Sequence, residues 1–167
     1  IGVDVNEVEG VFHTHAHDDH FAGLTTLIRA NHRIKYYTTP IVRSSVTKKL
    51  SALMSISEKA FEEFFEVCDL ELDVWNNIDG LEVRPVYSPH PVETNILFFR
   101  TLWEDGYTTY AHLADISSHA VLKKMVAENS QLPGISSETL KKIWKDYLSP
   151  VAVKKIDIGG GLIHGKA

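Results

Sequence analysis

Val8 to Thr14 (VEGVFHT) reads as a short strand and feeds directly into a run of histidine and aspartate. A helix is expected next, from about Phe21 to Ala30. Ile34 to Thr38 (IKYYT) is β-branched and aromatic, which predicts a strand. Pro40 suits the first turn of a helix, and apolar positions continue at helical spacing to Met54. Ser57 to Val67 (SEKAFEEFFEV) predicts a second amphipathic helix with Ser57 as its cap. From Leu70 to Leu113 the pattern changes to short strands, Leu81–Tyr87 among them, broken at Asn76-Asn77, Asp79-Gly80 and Glu104-Asp105-Gly106. The last break predicts a hairpin between Ile96–Leu102 and Tyr107–Leu113. Two helices follow, about Ser117–Asn129 and Ser136–Leu148, split by Leu132-Pro133-Gly134. A final strand, Val153–Ile158, runs into Gly159-Gly160-Gly161. Strands in the middle with helices around them predict a layered α/β or α+β domain.

Composition narrows this only modestly. The chain has 167 residues, 44% hydrophobic and 23% charged, which suits one domain with one good core. Net charge is −5 and the basic residues form no long run. That disfavours a polynucleotide partner, although a local basic patch would still permit one, and it favours a small-molecule substrate. No apolar stretch approaches the roughly 20 residues that span a bilayer, and Ile1–Gly10 has neither the basic start nor the apolar core of a signal peptide. A single cysteine, Cys68, rules out an internal disulfide framework and suits a reducing, cytoplasmic compartment. Cys68 itself is read as a small apolar filler at a strand–helix junction.

The chemistry lies in the nine histidines and their placement. Residues 13–20 read His-Thr-His-Ala-His-Asp-Asp-His, with His15 and His17 where the strand should end and Asp19 and His20 at the start of the next helix. Imidazole and carboxylate are the donors expected at a catalytic zinc or iron site. As core, such a cluster would need a buried partner for every member. His13 lies deeper in the strand and is read as a buried, hydrogen-bonded histidine. Asp18 is read as a favourable acid at a helix N-terminus. His112 precedes Asp115 by three residues, which on one strand puts them on opposite faces. His32 and His119 fall on or near helix surfaces and need no special role, and Glu93 is a partner supporting a site ligand, a proton donor near the site, or a solvated surface acid. Gly160–Lys166 (GGLIHGK) imitates the start of a P-loop, but Ala167 replaces the required hydroxyl.

Thr14-His15-Ala16-His17-Asp18-Asp19-His20 followed by Gly23 resembles the T-H-x-H-x-D-H-x-x-G signature of the metallo-β-lactamase-fold superfamily. His90 in Ser88-Pro89-His90-Pro91, Asp115 in His112-Leu113-Ala114-Asp115 and His164 after Gly159-Gly160-Gly161 match that family's later ligands in order. The resemblance implies an α/β fold, the αββα sandwich of this superfamily. It implies one metal on His15, His17 and His90, and a second on Asp19, His20 and His164, with Asp115 between them. Two divalent ions are expected, zinc first, with iron or manganese as alternatives. Such a pair activates water for attack on an electrophilic carbon or phosphorus, with Asp19 or Asp115 orienting the nucleophile.

The fold serves many chemistries, so the substrate must be read from local features. His17 stands where flavin-linked di-iron members usually carry glutamate, which favours hydrolysis. Asp115 in place of a bridging cysteine argues against a true β-lactamase. Ser88–Asn95 is more similar to the loop of phosphodiesterase-like members than to that of the thioesterases. The expectation is a dinuclear hydrolase of a phosphodiester or related ester; the alternative is a di-iron oxygen-binding or redox-sensing protein. The family's opening strands have no counterpart before Ile1, so residues 1–167 are expected to be one domain truncated at both ends. A further part of the same polypeptide, or a second copy in a homo-oligomer, would then complete the sheet.

Overall fold

Ile34–Thr38 and Phe65–Asp69 align in parallel, Ile34 opposite Phe65 and Thr38 opposite Asp69, and this ladder organises the first part of the chain. The computed structural model describes residues 2–126 and 134–157. It divides into two compact units, Ile1–Glu71 and Leu72–Ala167.

In the first unit, β1 (Gly10–Phe12), β2 (Ile34–Thr38) and β3 (Phe65–Asp69) form a parallel sheet in that order. The crossover from β2 to β3 is α3 (Pro40–Met54), which begins on Pro40 and ends with Ser55 in the left-handed conformation. Its buried Val42, Val46 and Leu50 recur at helical spacing and pack with Ile34, Tyr36, Phe61 and Phe65. Between β1 and β2 lie two single turns, α1 (Asp18–Phe21) and α2 (Leu24–Leu27), where the sequence predicts one helix from Phe21 to Ala30. The apolar spacing is correct, but the helix begins earlier and is interrupted, with Gly23 at the junction.

The expected helix Ser57–Val67 is corrected more sharply. Only its first half is helical, as a 3-10 turn at Glu58–Ala60 and α4 (Phe61–Phe64); Phe65 then turns extended and opens β3. Phe65 is fully buried against Tyr36 and Phe61, with ring centroids 5.7 and 4.8 Å away. Strand pairing and this aromatic contact outweigh the helical pattern. Cys68 therefore lies within β3, not at a strand–helix junction.

The second unit is a five-stranded sheet in sequential order: β4 (Asn76–Ile78), β5 (Leu81–Ser88), β6 (Thr94–Trp103), β7 (Gly106–His112) and β8 (Val153–Lys155). All pairs are antiparallel except β7–β8. Asn76 and Asn77, expected to break a strand, form β4. The Asp79-Gly80 turn, with both φ angles positive, folds them back onto Val83 and Glu82. The predicted hairpin is present, with Trp103 opposite Gly106. The connection from β7 to β8 carries α5 (His119–Val126) and α6 (Ser137–Tyr147), the latter capped by Ser136, whose hydroxyl accepts from the Thr139 N–H at 3.0 Å. Leu122, Met125, Ile143 and Tyr147 of these helices pack with Val86, Ile96, Phe98 and Ala111 of the sheet. No helix among the described residues is long and apolar enough to cross a membrane.

Candidate metal centre

The donors of the first unit follow the carboxyl end of β1, the edge of a parallel sheet where ligands are usually held. Strand pairing extends one residue past β1: the His13 N–H donates to Tyr37 at 3.0 Å, and the Thr38 hydroxyl donates to the His13 carbonyl at 2.8 Å. His13 is buried, as its strand position predicts, and burial lowers its pKa to about 4. Neutral at ordinary pH, its ring fixes the next turn through Nε2, 2.9 Å from the His15 carbonyl. The chain then leaves the strand with His15 fully buried and its Nδ1 3.0 Å from the Thr14 hydroxyl. That contact makes Nε2 the nitrogen suited to a metal.

Around His15 the other imidazoles close in. The His17 ring lies edge-on at 4.9 Å and the His20 ring at 4.0 Å. Asp19 sits beside His20, Oδ2 to Nε2 3.6 Å, with its carboxylate mostly in solvent. Asp18 lies 3.6 Å from Lys49, whose ammonium also donates to the Ala16 carbonyl and straps the loop to α3. Sequence reasoning missed Lys49, since only the fold brings a residue of α3 to this loop.

The second unit contributes a different pair. His90, in the β5–β6 connection, and Asp115, beyond β7, are both buried, with Nε2 and Oδ2 3.6 Å apart. Ala114 takes a left-handed φ of 52° just before Asp115, an uncommon conformation for a residue with a Cβ. β7 has already ended at His112, so strand alternation does not carry from His112 to Asp115 as expected; His112 Nδ1 lies 3.0 Å from the Tyr110 hydroxyl. Imidazole and carboxylate without thiolate suit zinc, iron or manganese, so the donors in each unit fit the metals the sequence implies. The sequence profile of the beta-lactamase superfamily domain matches residues 2–125.

The chain belongs to that superfamily. It aligns with the metallo-beta-lactamase fold protein YhfI from Bacillus subtilis over 93% of this chain and 77% of that one, with a TM-score of 0.51 at 13% identity. The fold is thus α/β, of the metallo-β-lactamase type. Among curated proteins, it is 28% identical over 93 residues to cAMP/cGMP-dependent 3',5'-cAMP/cGMP phosphodiesterase B of Dictyostelium discoideum, covering 56% of this chain. It is 25% identical over 128 residues to cGMP-dependent 3',5'-cGMP phosphodiesterase A of the same organism, covering 73% of this chain. The matches span 8% and 15% of those two proteins.

Within the superfamily's ligand set, the structure gathers His15, His17 and His20 in one unit and His90 with Asp115 in the other. His164 and the P-loop-like Gly160–Lys166 lie outside the described residues. Glu93 is half-buried, and burial raises its carboxyl pKa. His119 stacks on Trp144 at 4.4 Å, and His32 Nε2 lies 3.1 Å from the Val8 carbonyl. Three further residues escaped sequence reasoning: Ser88, Ser117 and Tyr147, all buried near His90 and Asp115 in the chain or through hydrogen bonds.

Proposed function

We propose that this chain is a dinuclear metal-dependent phosphodiesterase acting on a small substrate such as a 3',5'-cyclic nucleotide. His15, His17, Asp19, His20, His90, Asp115 and His164 are the residues that would hold the ions, following the superfamily's ligand pattern. The carrying observation is that the superfamily's donor types occur as close groups in both units, the imidazoles of His17 and His20 around that of His15 and a buried His90–Asp115 pair. The two curated relatives, both named as cyclic-nucleotide phosphodiesterases, direct the reading toward phosphorus. When bound, the ions supply a Lewis acid that makes water nucleophilic near neutral pH.

The chain's own residues then have distinct tasks. His13 stays neutral and holds the His15 backbone, and the Thr14 hydroxyl sets the His15 ring. Asp19 and Asp115 are assigned to orient the attacking water. The net charge of −5 favours a small diester over a long polynucleotide.

The test is to strip the protein with chelator and reload it with zinc, iron(II) or manganese. It is then offered bis(p-nitrophenyl) phosphate, 3',5'-cAMP, 3',5'-cGMP, a thioester and a lactam. Metal-dependent cleavage of the phosphodiesters ahead of the other substrates is expected. Turnover that ignores the chelator, or that prefers the thioester or lactam, overturns the proposal.

A further inference from the structure

His90 and Asp115 are 25 positions apart, and each follows a strand that has already ended. Neither segment can hold its donor by strand pairing alone. Ser88 is the last residue of β5, two before His90, and Ser117 comes two after Asp115. The Ser117 hydroxyl donates to the Pro89 carbonyl at 2.8 Å, joining the two donor segments directly. The Tyr147 phenol, at the end of α6, lies 2.6 Å from the Ser88 hydroxyl and is also hydrogen-bonded by the Ser117 backbone. All three residues are at most 4% exposed, so these bonds form out of water, where geometry is strictly enforced.

Tyr147 is itself anchored. Its neighbour Asp146 meets Arg84 of β5 at 3.4 Å and Lys142 at 3.1 Å, and Lys142 reaches Asp73 at 2.7 Å. These contacts tie the end of α6 to the strand that leads into the His90 loop.

We propose that Tyr147, Ser88 and Ser117 form a clamp that sets the spacing of the His90 and Asp115 donors, making Tyr147 and Ser117 positioning residues for a metal. This rests on the metal-dependent reading above. A group that orients a metal ligand through hydrogen bonds typically contributes about 10–100-fold to metal affinity. The clamp contributes by holding the donors together before an ion arrives, so its loss weakens binding more than a comparable loss of packing.

The experiment measures zinc affinity of the full chain by competition with a chromophoric chelator, alongside thermal unfolding of the metal-free protein. Tyr147→Phe and Ser117→Ala are expected to weaken zinc binding by about 10–100-fold. Ser117→Thr, which keeps the hydroxyl, should restore much of the loss. Ile143→Val trims the same core without touching the clamp and should leave affinity unchanged while lowering the unfolding temperature. If Tyr147→Phe does not fold, Ser117→Ala and its Thr rescue carry the test. Folded Ser117→Ala with affinity within twofold of wild type, or Ile143→Val weakening zinc equally, overturns the clamp. Failure of the underlying reading looks different: wild type itself then binds no zinc, or Asp115→Ala binds it unchanged.

Discussion

The two units assemble their donors by opposite routes. In the first, His15, His17, Asp19 and His20 are close because they are close in sequence; the parallel sheet need only end β1 at Phe12 and let the chain turn. In the second, His90 and Asp115 meet because β5, β6 and β7 pair in register and a buried hydrogen-bonded group joins the segments beyond them. A local cluster survives small errors in the sheet, whereas a distant pair depends on every element between its members.

The largest expected effect tests whether the two groups serve one chemistry. His15→Ala and Asp115→Ala should each reduce metal-dependent turnover of a phosphodiester by more than about 100-fold, beyond the range seen when only a ligand's supporting hydrogen bond is lost. Asp115→Ala should also bring the metal count per chain below that of wild type. Full turnover with both metals retained in either variant would separate that unit from the chemistry. Metal analysis with steady-state assays on the same samples decides it.

This contrast also explains what the sequence made legible. Thr14–His20 could be read as a donor cluster because spacing alone reveals it, and His90 and Asp115 were found through resemblance to a family. Nothing local identified Tyr147, which looks like one more apolar position on α6 beside Ile143, or Lys49, which looks like a solvated helix residue. The β6–β7 hairpin was legible because turn chemistry is local. Phe65–Val67 reads as helix because its amphipathic pattern fits one, and only pairing with β2 makes it a strand.

Two buried tyrosines allow the comparison to be sharpened. Tyr36 is completely buried in the first unit, with no hydrogen-bond partner for its hydroxyl among the described residues, whereas the Tyr147 hydroxyl has Ser88 and Ser117. Tyr147→Phe leaves buried groups unsatisfied and should cost about 1–3 kcal/mol, while Tyr36→Phe removes an unmet hydroxyl and should be near neutral or stabilising. Denaturant unfolding of both variants measures the difference. Equal costs would mean the clamp adds nothing to stability.

The same residue gives a pH signature. Burial raises the Tyr147 pKa to about 12 from an ordinary 10.0, despite the opposing bonds from Ser88 and Ser117. Because the folded value lies above the unfolded one, this contribution is complete below pH 10 and is lost as pH rises toward 12. At pH 11 the loss is about 1.4 kcal/mol. Burial raises Tyr36 further still, so wild type should lose stability from both tyrosines. Tyr147→Phe should show a shallower alkaline decline than wild type by that amount. Parallel declines from pH 9 to 11 would show that the phenol does not titrate as its burial requires.

The smallest effect tests how far the second unit's dependence on its ladder extends. Gly106 closes the β6–β7 hairpin at a φ of 121°, outside the range side chains readily adopt. A Cβ there would meet nothing within 4 Å, so Gly106→Ala carries a backbone cost without a clash, about 1–2 kcal/mol. Gly106–His112 is seven residues of strand, spanning about 20 Å at ordinary strand rise. If the clamp fixes the far end of the ladder, strain at the turn should disperse before it reaches Asp115. Gly106→Ala should therefore lower the unfolding midpoint by several degrees while zinc affinity and turnover stay at wild-type values. A clear fall in zinc affinity with the fold intact would mean the register of the hairpin sets the His90–Asp115 spacing, leaving the clamp a lesser part.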